Sequence, residues 1–507
     1  MSALGTAVGT RVVGRLAAGN AARGDGDRAE LYVSPRLLIA AVVLTGTVFG
    51  RFMADGHMKI AAALVLAACY APLVLFDLSI ALAAYIAVQF FQDLSIFSSG
   101  PNAMGVLVGL GWIGAVLGRR GRIAGLVEHR RTILALIVFC AWLSVTIAWA
   151  QRPGPAGTEV SYWWIAALAF AVALTAPASP RALSRLALAF VAGSVISVAI
   201  GVLTGSLSTA ETAISQTAIQ GRFTGGGGDP NVQAAGFVAA MFLIIGLLGL
   251  YRRRAPRVLL ISSFVLVTVG FLATESRGGL IALVVGVTVA LFIAPRHRGR
   301  IVALAAVMLA AILGLGAAQP GAIARITDLG GGSSGRSDLW RVGWQVFTSH
   351  PLAGVGIGNF QVVESHYTLR PGAISRIGYL VDVPHLVHNT YLQLLAETGV
   401  IGLALYLLVL VFCVRSTWSA IQRFESIGRR READLARAVL MGVVGMSVAL
   451  FFISDGDDVR LWVLLAMGPA LATFAARAAR EKESAAVLPR ALQPVPDAPR
   501  PLPGGQA

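Results

Sequence analysis

The sequence predicts an all-α protein, a polytopic bundle of about twelve to fourteen transmembrane helices. Hydrophobic residues make up 56% of the 507 residues and charged residues only 13%, about half the charged fraction of a soluble domain. The mean hydropathy is +0.75, and several apolar runs approach the roughly 20 residues that cross a bilayer. This composition excludes a disordered chain, a collagen and a disulfide scaffold. The three cysteines lie inside apolar runs, so neither a disulfide framework nor a CxxC metal site is indicated.

Fourteen apolar runs are predicted to form helices. They lie near 37–54, 59–76, 78–97, 103–118, 132–150, 161–177, 183–204, 231–250, 257–274, 278–294, 301–318, 390–413, 438–454 and 459–476. The runs at 103–118 and 161–177 are short, which leaves open a re-entrant segment or a different number of spans.

These runs divide the chain into five regions. They are a basic N-terminal tail (1–36), the first eleven spans (37–318), a large and partly helical loop (319–389), the last three spans (390–476) and a Pro-rich tail (477–507) that is predicted to be disordered. Because the N-terminal tail leads into a full-length span, that span is interpreted as a membrane anchor and not as a cleavable signal peptide.

The distribution of basic residues predicts that both termini are cytoplasmic. Most of the 41 Lys and Arg residues then fall in inside segments, where such residues are retained. The net charge of +16 therefore reflects topology, and a nucleic-acid partner is not indicated. In this orientation the outside face carries two long loops, 205–230 and 319–389. Loops of such length in compact proteins are usually functional or disordered.

The larger outside loop contains a predicted amphipathic helix, SDLWRVGWQVFTS at 337–349. Its apolar side carries Leu339, Trp340, Val342, Val346 and Phe347, and its polar side carries Ser337, Asp338, Arg341, Gln345 and Thr348. Such a helix either lies in the membrane interface or packs on the rim of the bundle. Arg341 has an acidic neighbour in Asp338, three residues back, whereas the GGGSSG before Arg336 offers no carboxylate.

Arg277 follows a predicted span within the motif TESRGG, in a tight turn at the outer membrane boundary. A guanidinium at that position is costly unless it faces a cavity or has a partner. Two interpretations remain open: Arg277 serves a site, or it forms a simple ion pair with Glu275.

The glycine-rich motif GGGGDPN precedes the run at 231–250. Asp229 is predicted to cap that helix and Pro230 to begin it. The loop amides either bind an anion at the helix N-terminus or belong to a flexible connector.

A polar stripe begins the run at 390–413, within VPHLVHNTYLQLLAETG. Asn389, Gln393 and Glu397 recur every four residues, so they share one side of a helix that must face other polar groups or a water-filled cavity. His388 precedes this stripe and is a candidate for a catalytic or binding role. With His385 it also forms an HxxH spacing, but no carboxylate follows at the spacing of a metal site.

Three motifs together carry a family resemblance: TESRGG, then GRSDLWRVGWQVFTSHPLAGVGIGNF, then HNTYLQLLAETGVIGL. In this order, among many spans and around a large late loop, they resemble the O-antigen ligase and polymerase superfamily of bacterial membrane glycosyltransferases. The similarity is strong over 336–403, fair over 222–294 and limited to topology elsewhere.

The resemblance implies a GT-C-like bundle in the inner membrane. Such an enzyme transfers a glycan from an undecaprenyl diphosphate carrier to a lipid or glycan acceptor on the outer face, without a metal or another cofactor. It implies that Arg277 and Arg336 bind the diphosphate and that His388 is the catalytic residue acting on the acceptor. Arg222 and Asn389 join the predicted substrate-binding residues, and either Glu397 or Asp382 is expected to orient the histidine.

The residue types agree with that chemistry. Outside the cytoplasm no nucleotide sugar is present, so an activated lipid must supply the energy of transfer. A planar, permanently charged arginine stabilises a departing diphosphate well, and a neutral histidine is a suitable base near pH 7.

Three functions remain open at this point. A ligase attaches a finished glycan to a terminal acceptor, and a polymerase extends a lipid-linked repeat unit by the same chemistry. A secondary transporter is the third, with the polar stripe lining a solute path. Transporters usually show paired halves with broken helices near the midplane, whereas here the polar residues gather toward the outer end and no half-repeat is evident. A ligase is therefore favoured.

The predicted orientation can be tested by labelling single cysteines introduced at Ser334 and Ser426, in a protein whose native cysteines are replaced. A membrane-impermeant reagent should label position 334 in intact cells or spheroplasts, because the loop at 319–389 is predicted outside. It should label position 426 only after lysis. Labelling of position 426 alone in intact cells would reverse the orientation.

Overall fold

The computed structural model describes residues 68–92, 100–118, 123–203, 222–226, 228–318, 336–369 and 385–487, together with Thr47 and Arg51. The chain forms two compact units, Met1–Ala61 and Ala62–Ala507, and the architecture below is that of the second. The N-terminal tail, nearly all of the predicted span at 37–54, most of the loop at 205–230, two parts of the loop at 319–389 and the end of the C-terminal tail lie outside the described residues.

Every regular element among the described residues is helical. The α-helices are α1 (Leu78–Val88), α2 (Gly100–Leu117), α3 (Ala124–Glu128), α4 (Arg130–Thr146), α5 (Pro153–Thr175), α6 (Pro180–Leu203), α7 (Pro230–Leu250), α8 (Arg254–Ala273), α9 (Arg277–Ile293), α10 (Arg298–Ala318), α11 (Arg336–Ser349), α12 (Phe360–Thr368), α13 (Thr390–Ser426), α14 (Arg430–Ala449) and α15 (Val459–Val487). Two short 3-10 helices, Ile147–Trp149 and Pro295–His297, follow α4 and α9.

Seven helices in the described part of the chain are long and apolar enough to cross a membrane. They comprise α5, α6, α7, α8, α13, most of α15 and the combined segment Arg130–Trp149; α1, Ala103–Leu117 and α9 are shorter apolar helices. The predicted class, an all-α multi-pass membrane bundle, is therefore confirmed. The number of fourteen spans stays a prediction.

The predicted span at 78–97 is too long. Helix α1 begins at Leu78, capped by the Asp77 carboxylate, and ends at Val88. The chain then turns so that the carbonyl of Phe90 accepts a hydrogen bond from Gln233 Nε2 at 2.5 Å. The Phe90 ring packs edge-on against Phe190, with ring centroids 4.9 Å apart. Packing against α6 and α7 therefore ends this helix about nine residues earlier than the hydropathy pattern indicates.

The centre of the bundle is formed by α7 and α15. They bury 78% and 83% of their most apolar segments inside the protein, against 39–50% for the other five long spans. A cluster of rings from Phe139, Trp163, Tyr406 and Trp462 joins α4, α5, α13 and α15, with centroids 5.2–6.5 Å apart. Edge-on and tilted contacts of this kind add stability beyond the burial of apolar area.

Helix α14 differs from its neighbours because its first two turns are charged, and it packs extensively against α7. The guanidinium of Arg437 pairs with Asp434 at 2.9 Å and with Glu425 of α13, and its Nε donates to the carbonyl of Ile293 at the end of α9. This buried arginine therefore joins α9, α13 and α14 at one end of the bundle. The predicted span at 438–454 begins too late, because charged residues in this helix are paired within the protein.

Helix α13 is broken near its start, whereas the sequence predicts a continuous span at 390–413. Gly399 has φ 69° and ψ −172° inside the helix, a backbone conformation that residues with a side chain rarely adopt. The break divides α13 into a short first segment, Thr390 to Thr398, and a long second segment that continues to Ser426. The first segment is called the outer part of α13, after the predicted orientation. The polar stripe lies on this outer part.

The segment 351–360 fills the break in α13 and satisfies its backbone groups. Val355 N and Gly356 N donate to the carbonyls of Ala396 and Glu397, and Val400 N donates to the carbonyl of Pro351, at 2.8–3.1 Å. Gly354 lies beside these hydrogen bonds and has a positive φ of 66°. Its backbone is in direct contact with the backbone of Glu397, so a side chain does not fit there. Because backbone groups at membrane depth need partners within the protein, this segment and the outer part of α13 form one unit.

We expect Gly399→Ala to destabilise the protein by about 3 kcal/mol or more, because it adds a left-handed backbone penalty to a clash between the new Cβ and the Leu352 carbonyl. The midpoint of thermal denaturation in detergent measures the effect.

Gly157→Ala is the matched control for that substitution. Gly157 lies in α5, and a Cβ added there meets nothing within 4 Å. A helical Gly→Ala change without a clash should be neutral or stabilising by up to about 1 kcal/mol. Equal midpoints for the two variants would show that the break in α13 contributes nothing to stability.

Candidate functional site

Four helices begin close together at one end of the bundle. Helix α7 begins after Asp229, whose carboxylate accepts from Asn231 N at 2.6 Å; α9 begins after Ser276, whose hydroxyl accepts from Gly279 N; α13 begins after Asn389, whose side chain accepts from Leu392 N. Helix α11 begins at Arg336. Helix N-termini carry unpaired amides and a partial positive charge, so this end of the bundle favours an anion. The predicted cap at Asp229 and the predicted helix start at Pro230 are confirmed.

Arg222 connects the starts of α7 and α9. Its guanidinium is buried, and its Nε donates to the carbonyl of Thr274 at 2.8 Å while Nη2 donates to Asn231 Oδ1 at 3.0 Å. The Ser276 hydroxyl donates to the same Asn231 oxygen at 2.8 Å. Arg222 therefore holds the turn before Arg277 against α7, and these two hydrogen bonds give it a positioning role in addition to its predicted substrate contact.

Arg277 and Arg336 lie within electrostatic range of one another although they are far apart in sequence. Both are half-buried. Burial lowers the pKa of Arg336, the nearby charge of Arg277 lowers it further, and the carboxylate of Asp229 acts in the opposite direction. Two guanidinium groups of like charge held this close repel each other, and a bound anion would relieve that repulsion.

His388 lies beside Arg336 and Asp229. Burial is the main cause that lowers the pKa of His388; the charge of Arg336 lowers it further, and the carboxylate of Asp229 raises it. The imidazole is therefore neutral at pH 7, as a base requires. His388 also has φ 53°, a left-handed conformation that is costly for a side-chain-bearing residue and recurs at functional sites. Glu275, just before the cap of α9, has φ 49°.

Glu397 is one of two carboxylates expected to orient His388, but its hydrogen bonds are with other groups. Its two carboxylate oxygens accept from Gly358 N and Phe360 N, each at 3.0 Å, and from Gln393 Nε2 at 3.4 Å. Glu397 therefore holds the segment 351–360 against the outer part of α13. Asp382, the alternative, lies outside the described residues. In the part of the chain that the structure describes, the carboxylate whose charge acts on His388 is that of Asp229, which the sequence pattern predicts only as a helix cap.

His385 is held by Glu364 of α12. The Glu364 carboxylate accepts from His385 N at 2.8 Å, and its other oxygen lies 3.2 Å from His385 Nδ1. This contact fixes the chain just before His388. Among the residues that the structure describes, no group of three or more His, Cys, Asp or Glu side chains is arranged to hold a metal ion.

The predicted amphipathic helix in the large loop is α11. Leu339, Val342 and Val346 are buried, and the two valines pack against α12 and the start of α13. Arg341 pairs with Asp338 at 3.5 Å, as the spacing predicts. Asp338 is itself buried, contrary to its place on the polar side. Trp344 is 54% exposed. The helix thus packs on the bundle through one side, and its contact with the membrane stays a prediction.

A small acidic cavity lies beside the outer part of α13 and has no counterpart in the sequence prediction. Glu159 of α5, Glu397 of α13 and Asp457 of the turn before α15 line it, together with Trp163 and Ser454. Burial raises the pKa of Asp457 to about 7, and the charge of Glu159 contributes to the increase. Three carboxylates in one small space repel one another, and a proton on one of them relieves that repulsion.

The turn between α14 and α15 carries two further aspartates. Asp458 accepts from Arg460 through both oxygens, and Arg460 Nη1 donates to Gln233 of α7 at 3.2 Å. Burial and the neighbouring Asp458 raise the pKa of Asp455 well above its ordinary value. Asp229 is also among the charges that act on Asp455, so the turn extends from the acidic cavity toward the arginine site. The motif SDGDD is the sequence signal that could have indicated this cluster.

The family comparison matches part of the chain that contains most of the predicted site. The family model described as O-antigen ligase matches residues 262–407. Over this region the chain is similar to the O-antigen ligase superfamily. The resemblance predicted from three motifs is thereby confirmed, and with the seven apolar helices it supports a multi-pass inner-membrane enzyme of the ligase or polymerase type. No curated protein matches the chain.

The matched region includes Arg277, Arg336 and His388 but not every residue at the candidate site. Arg222 and Asp229, which contact or act on the matched residues, precede it, and the turn at 455–458 follows it. The site is thus assembled from the family region and from helices on both sides of it.

The acidic cavity predicts an unusual pH dependence of stability. An unfolded aspartate has a pKa of about 3.9, whereas that of Asp457 is raised to about 7. Between these values the folded protein binds a proton that the unfolded chain lacks, so the free energy of unfolding decreases as the pH rises through this window. Asp457→Asn should reduce the decrease in thermal midpoint between pH 5 and pH 8.

Glu481→Gln, which changes an exposed carboxylate at the end of α15, is the control and should leave the pH dependence unchanged. An Asp457→Asn variant with the wild-type slope would argue against a protonated carboxyl at that position.

Proposed function

We propose that the protein transfers a glycan from an undecaprenyl diphosphate carrier to an acceptor hydroxyl at the outer face of the inner membrane. The observation that supports this most directly is the convergence of Arg277, Arg336 and the neutral His388 at the starts of four helices. The family match supports lipid-linked glycans as the class of substrate.

The two arginines are proposed to bind the diphosphate. As the bond between the anomeric carbon and the phosphate oxygen breaks, its electron pair remains on the diphosphate, whose charge increases. Arg277 and Arg336 face that charge with planar guanidinium groups that can bind phosphate oxygens in pairs. Stabilising charge that develops in the transition state is where electrostatic catalysis gains most.

His388 is proposed to act as the base for the acceptor. The acceptor oxygen attacks the anomeric carbon, a new glycosidic bond forms, and the hydroxyl proton moves to a ring nitrogen of His388. Because Arg336 and burial keep the imidazole neutral, the nitrogen is free to accept that proton near pH 7. Asp229 then stabilises the resulting imidazolium by its negative charge.

The preferred form of the reaction is ligation to a terminal acceptor, with polymerisation of lipid-linked units as the alternative within the same chemistry. An assay with purified protein in nanodiscs separates the two. It offers a lipid-linked donor together with either a terminal lipid acceptor or a second lipid-linked unit, and the size of the product identifies the reaction. EDTA is included, because the proposed residues need no metal.

We expect the site variants to lose activity in different ways. Arg277→Lys and Arg336→Lys keep the charge but lose the planar fork, so donor binding and turnover should both decrease. His388→Ala should leave donor binding nearly unchanged while turnover falls roughly 10²–10⁴-fold. Glycan transfer and donor binding are measured separately, with thermal midpoints as a check on folding.

Arg341→Ala is the matched control for the arginine variants. Arg341 lies on the same helix as Arg336 but pairs locally with Asp338, so transfer should remain near the wild-type rate. Full activity of His388→Ala would exclude it as the base, and unchanged donor binding in both lysine variants would exclude the diphosphate assignment.

The pH profile offers an independent test of His388. Its neutral form is the active one, so kcat/KM should fall on the acid side, at a pH below the ordinary pKa of histidine. Asp229→Asn removes the charge that raises the pKa of His388 but keeps a residue suited to cap α7. The acid limb should therefore move to lower pH. A limb that stays in place, or moves to higher pH, would mean that another group controls it.

A further inference from the structure

An apolar cavity, open along one side, lies between α7, α8, α9 and α10. Its volume is about 240 Å³, and its lining includes Phe242 of α7, Phe264 of α8, Leu283 and Val287 of α9, and Met308 of α10. Thr288 is the polar residue of the lining, and its hydroxyl donates to the carbonyl of Val284 at 2.8 Å. Water fills a cavity only where it finds several polar partners, so this space suits hydrocarbon.

The cavity runs along the helix that begins with Arg277. Leu280, Leu283 and Val287 recur at helical spacing on one side of α9 and line the cavity together. At a rise of 1.5 Å per residue, the lining begins about 4.5 Å from Arg277 along the helix axis and continues to about 16 Å. A ligand whose charged head group binds Arg277 can therefore place a long apolar chain along α9, with the chain extending away from the start of the helix.

We propose that this cavity binds the isoprenoid chain of the diphosphate lipid whose head group Arg277 holds. The proposal rests on the function proposed above, because that function supplies the chain. An acyl chain of an ordinary phospholipid offers the same hydrocarbon chemistry. The position of Arg277, directly above the apolar side of α9, favours a lipid with a diphosphate head.

The alignment assigns different parts of α9 to different parts of the donor. Arg277 binds the diphosphate, Leu280 contacts the first isoprene units, and Val287 contacts units farther along the chain. Ile281 is 45% exposed and does not line the cavity, so it serves as a control on the same helix. Substitutions far from Arg277 in the cavity should therefore weaken the binding of long-chain lipids and leave the binding of short-chain lipids unchanged.

Binding of glycan-free lipids to the purified protein tests this directly. The probes are undecaprenyl diphosphate and a diphosphate analogue with two isoprene units, each measured by native mass spectrometry in wild type, Val287→Phe, Met308→Phe and Ile281→Phe. The first two variants narrow the cavity from opposite walls, and we expect each to weaken binding of the long lipid tenfold or more. Binding of the short analogue, and all binding by Ile281→Phe, should remain within twofold of wild type.

A photoreactive group in the middle of the polyprenyl chain provides a test in the unmodified protein. We expect crosslinks to peptides of α9 or α10 that are lost on addition of unlabelled undecaprenyl diphosphate and retained with excess phospholipid. Crosslinks confined to other helices, or displaced equally by phospholipid, would overturn the proposal. Wild-type affinity for the long lipid in folded Val287→Phe and Met308→Phe would do the same.

The outcomes separate this proposal from the proposed function. A wild-type protein that binds undecaprenyl diphosphate in the cavity but transfers no glycan counts against the function alone. A protein that transfers glycan with an unchanged KM for the long donor in both cavity variants counts against the cavity alone.

Discussion

The broken helix α13 determines where the reactive residues lie. A bilayer supplies no hydrogen bonds to an interrupted helix, so the break at Gly399 is possible only because segment 351–360 provides partners for the backbone on both sides of it. That segment is held in turn by the Glu397 carboxylate. The outer part of α13 therefore makes hydrogen bonds with the large loop as well as within its own helix. His388 and Asn389 directly precede it.

The site and the acidic cavity have opposite electrostatic character, although both adjoin the outer part of α13. On one side, helix N-termini and arginines concentrate positive charge, with Asp229 as the nearby carboxylate. On the other, Glu159, Glu397 and Asp457 share a small space. Such an arrangement orients a strong field across a short distance in a poorly solvated region. Any anion is therefore attracted to the first region and repelled from an ionised form of the second.

Sequence patterns predicted the class of fold better than the contacts that support the candidate site. Hydropathy identifies helices because one-dimensional composition determines membrane insertion. Hydropathy does not reveal the break at Gly399, because this glycine lies within an apolar run. The hydrogen bonds that stabilise the break come from residues about forty positions earlier in the chain. The contacts of Glu397, one of the two carboxylates expected to orient His388, were hidden for the same reason: periodicity shows which side of a helix a residue shares, but not which distant loop reaches it. Asp229 and Asp457 act through space from other helices, so local spacing gave little indication of them.

The buried centre of the bundle also bears on how the protein is made. Helices α7 and α15 expose little of their apolar surface to lipid, and α14, with Asp434 and Arg437 in its first turns, enters a bilayer alone only at high cost. During synthesis α7 emerges long before α14 and must wait in the membrane with its contact surface unfilled. Because α14 follows in the last part of the chain, its contact with α7 can form only after most of the other helices have been synthesised. The centre of the bundle is therefore completed late, by segments that are far from α7 in sequence.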